Sequence, residues 1–247
     1  LHRILEQVCF QHPKDSAAQI AAELRRAGID PGFEAALLQG LDRVLQTPLG
    51  GPLGTLQLAD LRPEQRLHEL SFDLPVHHIR TADLVRAFQA DPMARFGGDY
   101  IRRLSGLTVN SRGVLTGSID LVFCDPATQR WWVLDWKSNW IGERAGDGAE
   151  ADRCGPRHYG DAAMQAQMEH HHYPLQAHLY LVALHRHLRW RLPGYGPERH
   201  LGGYVYAFLR GMPGRLHPEL VPGPGRIVEP APLKRVLLLD QLLGSAA

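Results

Sequence analysis

The most constraining feature of the sequence is a pair of strongly apolar segments that each carry charged residues. The first runs from Gly113 to Phe123 (GVLTGSIDLVF) and the second from Trp131 to Lys137 (WWVLDWK). Both are rich in aliphatic and aromatic residues, as strands are. The Asp125-Pro126 pair between them is a turn signal. Together these patterns predict a β-hairpin.

The rest of the chain alternates between helical and strand patterns. Residues 1–46 place apolar side chains at three- and four-residue spacing, with a break at Gly28–Gly32, and this predicts helices. The order of the elements predicts a mixed α/β fold. The remaining predicted elements are strands at Leu67–Pro75 and Gly203–Leu209, helices at Thr81–Phe88, Ala162–Leu192 (restarted or kinked by Pro174) and Leu233–Leu243, and irregular segments at Thr47–Gly54, Ile141–Gly160 and Met212–Pro232.

Composition excludes several classes of protein. The chain has 247 residues, 44% hydrophobic and 21% charged, close to globular averages, so disorder over the whole length is not expected. No apolar run approaches the roughly 20 residues of a membrane span. The three cysteines, Cys9, Cys124 and Cys154, are odd in number and scattered, which disfavours a disulfide scaffold. We expect a cytoplasmic protein with no membrane association.

The cationic residues are almost all arginines. Lysine occurs only at Lys14, Lys137 and Lys234, among 27 lysines and arginines in total. Codon bias is the simpler explanation, although arginine also suits phosphate recognition. The net charge of +1 does not by itself indicate a nucleic-acid binder. A lysine inside an apolar strand therefore stands out.

Three charged residues in the predicted hairpin form a candidate site. Asp135 and Lys137 differ by two positions and share one face of their strand. Pairing of the two strands would bring Asp120 beside Asp135, and two neighbouring carboxylates repel unless a cation lies between them. Mg²⁺, which prefers oxygen ligands, is the expected ion, and a nearby lysine can activate water or stabilise a phosphate. Glu69, on an earlier strand, is a further candidate carboxylate.

Each of these residues could also have an ordinary structural role. Exposed ion pairs between neighbouring strands are common and contribute little to stability. Glu69 fits an ordinary edge strand equally well. The apolar surroundings of Asp120 and Asp135 favour a functional site, because buried unpaired charge is costly.

Longer strings of residues resemble one nuclease family. An acidic strand end followed by Asp-x-Lys is typical of PD-(D/E)xK nucleases, and the wider pattern resembles the C-terminal nuclease domain of RecB, the helicase-nuclease subunit of RecBCD (exodeoxyribonuclease V). The matching strings are GSIDLVF (117–123), LDWKSNW (134–140), YPLQAHLY (173–180), LHRHL (184–188) and GGYVYAFLRG (202–211). Pro174 is a departure that precedes the Gln-x-x-x-Tyr element and leaves it intact.

The resemblance implies a fold, an activity and a set of site residues. It implies a restriction-endonuclease-like core with a central mixed sheet flanked by helices, within a single nuclease domain over 1–247 (a helical part at 1–60 and a core at 61–247). It implies a Mg²⁺-dependent deoxyribonuclease, with both exo- and endonucleolytic cleavage and with Mn²⁺ as a possible substitute ion. The implied roles are metal ligation by Asp120, Asp135, His2 and the main-chain carbonyl of Trp136, catalysis by Lys137, and DNA contact or support by Gln176 and Tyr180.

Without the resemblance, helical periodicity alone does not assign a functional role to these additional residues. A lone histidine on a helix, such as His2, is usually a surface residue, and a histidine ligand suits Mn²⁺ at least as well as Mg²⁺. Gln176 and Tyr180 stand at i and i+4, so they share a helix face, as ordinary amphipathic positions also do. Trp136 and Trp140 are candidates for stacking on single-stranded bases, and core packing is expected for at least one of them.

The family context implies partners and a longer chain. The implied partners are single- and double-stranded DNA, the RecC and RecD subunits and the RecA recombinase. The sequence begins at Leu1 in a helical pattern and contains no G-x-x-x-x-G-K-[ST] motif, so we expect a fragment of a longer helicase-nuclease polypeptide. Two other functions remain open: a docking platform for RecC and RecA, and a resolvase-type repair nuclease on the same fold.

Two further segments have no clear role. Three consecutive histidines, His170 to His172, suggest chelation, but successive helix residues point in different directions, so a solvated or phosphate-facing patch is the preferred interpretation. The Ile141–Gly160 segment, with Asp147, Glu150 and Asp152, is interpreted as a linker rather than a gate for DNA.

Overall fold

The protein is built around a five-stranded mixed sheet, as seen in a computed structural model that describes residues 2–146, 151–215 and 223–244. The strands lie in the order β1-β2-β3-β4-β5, and neighbours are antiparallel except for the parallel pair β3 and β4. The strands are β1 (Arg66–Arg80), β2 (Asn110–Cys124), β3 (Trp131–Lys137), β4 (Leu201–Phe208) and β5 (Arg226–Pro230).

Helices precede, interrupt and follow the strands. The predicted break at Gly28–Gly32 is confirmed, and a further non-helical stretch follows the first helix. The helices are α1 (His2–Gln7), α2 (Ala17–Arg26), α3 (Glu34–Gln46), α4 (Thr81–Gln89), α5 (Gly98–Ser105), α6 (Asp161–His170), α7 (Tyr173–Arg191), α8 (Pro197–His200) and α9 (Leu233–Gly244). No helix in the described ranges is long and apolar enough to cross a membrane.

Alternating side chains of the central strands bury both faces of the sheet. Val122 and Val133 face a core formed with α4, α5, α6, α7 and α9. Leu121 and Leu134 face a second core formed with α1, α2 and α3. Because both faces are covered, β3 and β4 read as nearly continuous apolar runs. The predicted α/β architecture, with helices on both sides of a mixed sheet, is confirmed.

The connection between β3 and β4 positions the longest helix over the sheet. Parallel neighbours need a crossover, which here contains α6 and α7. Pro174 lies in the first turn of α7, where its missing N–H costs no helical hydrogen bond. His172 precedes it with a left-handed backbone (φ 54°). The predicted restart of the helix at Pro174 is thereby confirmed.

Three details differ from the sequence prediction. The first strand continues past Pro75 to Arg80, which is possible because β1 is an edge strand and need not donate from every N–H. A helix not predicted, α5, forms by burying Tyr100 and Leu104. The segment Met212–Pro232 is not wholly irregular, because β5 forms within it by pairing with β4.

The 141–160 segment has local order in its described part. Glu143 and Arg153 pair as an isolated antiparallel bridge, and Pro156–His158 forms a turn of 3₁₀ helix. Asp152 accepts a hydrogen bond from the Ala145 N–H at 2.8 Å. Asp147 and Glu150 lie outside the described residues, as does Leu1.

Candidate active site

The hairpin register brings the predicted carboxylates together. Leu121 pairs with Leu134 in the antiparallel ladder, and one step further along Asp120 comes opposite Asp135. The Asp120 side chain accepts a 2.8 Å hydrogen bond from the Trp136 N–H, which fixes its orientation toward β3. The two carboxylates thus meet at the end of the paired region.

Lys137 forms an ion pair with Asp135 on the same strand. Its Nζ lies 2.7 Å from Asp135 Oδ1, and the side chains are 11% and 6% exposed, respectively. This burial distinguishes the pair from an exposed surface ion pair, which contributes little. The alternative of a solvated strand face therefore does not describe this pair.

Burial makes both carboxylates harder to ionise. It raises the pKa of Asp135 to about 6, with Lys137 opposing the rise and the charge of Asp120 adding to it. Burial also raises the pKa of Asp120, against the lowering effects of the Trp136 N–H and His2. Two carboxylates with raised pKa values beside one ammonium form a site that further positive charge would stabilise.

Helix α7 supplies the other partners of the lysine. Lys137 Nζ donates to Gln176 Oε1 at 3.2 Å, and Gln176 Nε2 donates to the Tyr180 hydroxyl at 2.9 Å. Burial raises the pKa of Tyr180, and the charges of Asp135 and Asp120 add to this. The i, i+4 face predicted for Gln176 and Tyr180 therefore points at the carboxylates and the lysine.

His2 approaches the carboxylate site from α1, which packs on the face of the sheet opposite to α7. Its Nε2 lies 3.1 Å from the Trp136 carbonyl oxygen and 3.7 Å from Asp120 Oδ2. The Trp136 side chain itself is 3% exposed and packs in the second core, so core packing is confirmed for this tryptophan. Its main-chain carbonyl faces the site while its indole does not.

Glu69 lies beside the cluster rather than in it. It is exposed on β1, where its left-handed backbone (φ 48°) interrupts the pairing with β2. The Ser118 hydroxyl donates to Glu69 Oε2 at 2.7 Å. The charge of Glu69 still contributes to the raised pKa of Asp120, after the larger effect of burial.

A cavity of about 310 Å³ unites these groups. Its carboxylate and carbonyl oxygens are donors of the kind that a hard divalent cation prefers. Among the described residues, no three His, Cys, Asp or Glu side chains converge as a ready metal cluster. The cavity is lined by His2, Asp120, Asp135, Trp136, Lys137, Ser138, Asn139, Tyr173, Gln176 and Tyr180.

Two tyrosines and an asparagine extend the site beyond the residues given a role from the sequence. Lys137 Nζ lies 3.7 Å from the ring centroid of Tyr173. The single hydrogen of the Tyr206 hydroxyl is shared between two acceptors, Gln176 Oε1 at 2.9 Å and the Tyr173 carbonyl at 3.0 Å. Tyr206 pairs with Asp135 in the β3–β4 register. This pairing depends on which strands are neighbours in the sheet, so the local sequence pattern does not predict it. Asn139 accepts from the Tyr159 hydroxyl through its carbonyl.

The three consecutive histidines point in different directions. His171 stacks on Tyr173, with ring centroids 5.1 Å apart, at the edge of the site. His172 Nδ1 lies 3.4 Å from the Tyr100 hydroxyl. The ring of His170 contacts the ring of His171 edge-on, with the two ring centroids 4.8 Å apart.

The sheet, the flanking helices and the paired carboxylates define the class of domain. A mixed sheet covered by helices, with acidic residues on two neighbouring strands and a lysine beside them, is compatible with a restriction-endonuclease-like core.

Comparison with curated proteins identifies the family. The RecBCD enzyme subunit RecB of Mycobacterium tuberculosis is 35% identical over an alignment of 268 positions, which covers 98% of this chain and 23% of the relative. The same subunit of Escherichia coli K12 is 34% identical over 223 residues, 89% of this chain and 17% of the relative. That of Mycolicibacterium smegmatis is 36% identical over 228 residues, 86% of this chain and 20% of the relative.

The chain belongs to the RecB family. It spans about a fifth of the length of the curated relatives that it matches. No protein-family model matches it.

Proposed function

We propose that the protein is a divalent-metal-dependent nuclease that hydrolyses phosphodiester bonds of DNA. The observation that carries the proposal is the buried ion pair of Asp135 with Lys137 beside the half-buried Asp120, at the end of two neighbouring strands. Membership of the RecB family supports this assignment over a structural role, because the relatives are named as subunits of the RecBCD enzyme.

The metal-binding residues would be Asp120, Asp135, the Trp136 carbonyl and His2. When bound, Mg²⁺ or Mn²⁺ would supply Lewis-acid activation of water and of the scissile phosphate. The chain fixes these donors from both sides of the sheet: the Trp136 N–H orients Asp120, and α1 presents His2.

Lys137 would stabilise the negative charge that develops on the phosphate. Its Nζ is held by Asp135 and Gln176 and lies against the Tyr173 ring, so its position is fixed before the substrate binds. Preorganised donors of this kind act strongly where water is excluded. The hydroxyl of Tyr206 supports the arrangement by holding Gln176.

The biological setting follows from the relatives. We infer that the chain acts in a RecBCD-type complex, with RecC and RecD subunits and the RecA recombinase as partners, during end resection and recombinational repair. Contacts would be made to backbone phosphates, so cleavage would show little sequence preference. The net charge of +1 predicts weak, salt-sensitive DNA binding by this chain alone.

The proposal is tested by cleavage of linear single-stranded DNA in Mg²⁺, Mn²⁺ or EDTA. The wild-type chain should cleave only with a divalent ion, and Asp135→Asn should abolish cleavage. Asp73→Asn, on an exposed position of β1, is the matched control and should cleave like the wild type. A folded wild-type chain that cleaves DNA with neither ion, alone or with its partner subunits, would refute the proposal.

A further inference from the structure

A second cavity lies beside the candidate active site. Its volume is about 470 Å³, larger than the 310 Å³ of the site itself. Helix α3 forms one wall with apolar side chains, and Trp140 forms part of the opposite wall. The residues that line the cavity include Leu37, Leu41, Arg43, Val44, Trp140 and Arg210.

Trp140 presents an aromatic ring flanked by cations. The guanidinium carbons of Arg144 and Arg210 lie 4.7 Å and 5.8 Å from its ring centroid. The indole N–H has no hydrogen-bond partner among the described residues, so no hydrogen bond fixes the ring in place. Unlike Trp136, which is buried in the core, Trp140 is half-buried.

The second cavity is physically linked to the site. Trp140 follows Lys137 by three residues, which span about 11 Å at most. The two residues between them, Ser138 and Asn139, line the active-site cavity. Arg210, at the second cavity, donates a hydrogen bond to the Ser138 carbonyl. A strand whose phosphate lies at Lys137 would therefore have neighbouring nucleotides beside Trp140.

The chemistry of the cavity matches an unpaired nucleotide. Leu37, Leu41 and Val44 provide an apolar wall, and Trp140 provides a ring on which the face of a base can stack. Arg43 is exposed at the same cavity and makes no ion pair within the described ranges, so its guanidinium is free to meet a phosphate. Proteins that bind single strands combine aromatic rings with arginines in this way.

We propose that this cavity binds an unpaired base of the DNA strand whose backbone occupies the candidate active site. Trp140 stacks on the base, and Arg43 and Arg210 contact the flanking phosphates. The inference rests on the proposed function for the identity of the strand, and it adds a base-stacking subsite to a site that otherwise contacts the backbone. The subsite favours strands that are single-stranded at this point, because a paired base cannot enter.

The test is an abasic scan of single-stranded DNA binding in EDTA, where the strand is not cut. One abasic position is moved, in successive samples, along a labelled oligonucleotide just long enough to fill the site, so that the strand cannot shift to another register. At one position the abasic unit should weaken binding by the wild type about tenfold. Trp140→Ala should weaken binding of the intact strand by a similar factor and lose the sensitivity to that position. Trp190→Ala, which removes a 74% exposed tryptophan from the end of α7, is the matched control.

Several outcomes would overturn the proposal. These are no binding of single strands by the folded wild type, equal affinity for every abasic strand, or equal weakening of intact and abasic strands by Trp140→Ala. Trp140→Phe separates stacking from folding, because it retains a ring and should recover part of the abasic sensitivity. Arg43→Gln should reduce the slope of log affinity against log salt by about 0.7.

Cleavage measured in parallel separates this inference from the proposed function. Divalent-dependent cleavage without abasic sensitivity would refute the subsite alone. Abasic-sensitive binding without cleavage would refute the nuclease assignment and leave a single-strand-binding site. Capture of a protein segment by the cavity, with no effect of Trp140→Ala on DNA, would also refute the subsite.

Discussion

Lys137 Nζ lies 2.7 Å from Asp135 Oδ1, and the two residues stand two positions apart on one face of β3. The lysine is therefore held by its own strand, by Gln176 and by the Tyr173 ring rather than by solvent. A cation fixed in this way can act on a phosphate without first being reoriented. This relationship makes Lys137 the residue on which the proposed chemistry depends most.

Lys137→Met is expected to slow DNA cleavage by at least about a hundredfold, the range typical of losing one preorganised charge-stabilising donor. The methionine retains the apolar stem and removes the charge. The measurement is the initial rate of single-strand cleavage in Mg²⁺. Lys234→Met, at an exposed position on α9, is the matched control and should keep the wild-type rate. Equal rates for the two variants would remove Lys137 from the mechanism.

Tyr206→Phe is expected to destabilise the protein by about 1 kcal/mol, because the buried hydroxyl loses its hydrogen bonding to Gln176 and the Tyr173 carbonyl. It should also slow cleavage, because Gln176 loses the hydroxyl that holds it in place for Lys137. Urea unfolding and cleavage rates measure the two effects. Tyr204→Phe is the control, since Tyr204 lies on the same strand and packs through its ring against His178 and Tyr206. Wild-type stability and rate in Tyr206→Phe would contradict the supporting role.

Local pattern predicts the hairpin and the carboxylates well, because both depend on residues close in sequence. The period of two on β3 places Asp135 and Lys137 on one face, and the turn at Asp125 sets which residue lies opposite Asp135. Strand β5 does not follow from local pattern. Its residues are flanked by glycines and prolines, and only pairing with β4 makes them a strand.

The supporting side chains of the site are harder to predict for the same reason. Tyr206 reaches Gln176 because β4 lies parallel to β3 and pairs Tyr206 with Asp135, 71 positions earlier in the chain. No periodicity within β4 indicates that contact. His2 likewise reaches Trp136 and Asp120 through packing of α1 on the sheet, and the family resemblance, not helix periodicity, identified it.

Acid should destabilise the protein through His178. This side chain is fully buried, its Nδ1–H donates to the Pro174 carbonyl at 2.6 Å, and it is surrounded by Phe88, Tyr204 and the charge of Arg235. Burial lowers its pKa to about 3. Below the ordinary pKa of a histidine, the unfolded chain binds a proton that the folded chain does not, so stability falls as the pH falls from about 6.5 toward 3.

The difference between the pKa of His178 in the folded chain and in the unfolded chain sets how much unfolding free energy is lost as the pH falls. Between about pH 7 and pH 5, the wild type should lose about 2 kcal/mol more unfolding free energy than His178→Gln. Urea unfolding at the two pH values measures the difference. The same pH dependence in both proteins would show that His178 is not the group responsible.

Arg235→Met is expected to destabilise the protein by about 3 kcal/mol or more. The guanidinium is fully buried and donates to the carbonyls of Asp91, Ala94, Arg95 and Phe96, so its loss leaves several acceptors unsatisfied. Its exposed neighbour on α9 provides a control, because Lys234→Met should change stability by less than about 0.5 kcal/mol. Equilibrium unfolding in urea gives both values. Similar stabilities for the two variants would mean that the 91–96 loop does not depend on this arginine.

The most direct measurement of the central claim is nicking of circular single-stranded DNA by the wild type and by Asp120→Asn, in Mg²⁺ and in EDTA. Circles contain no free end, so their cleavage reports the chemistry of the site without any requirement for a DNA end. We expect cleavage by the wild type in Mg²⁺ alone and none by Asp120→Asn. Cleavage in EDTA, or equal cleavage by the two proteins, would contradict a metal-dependent site built on Asp120 and Asp135.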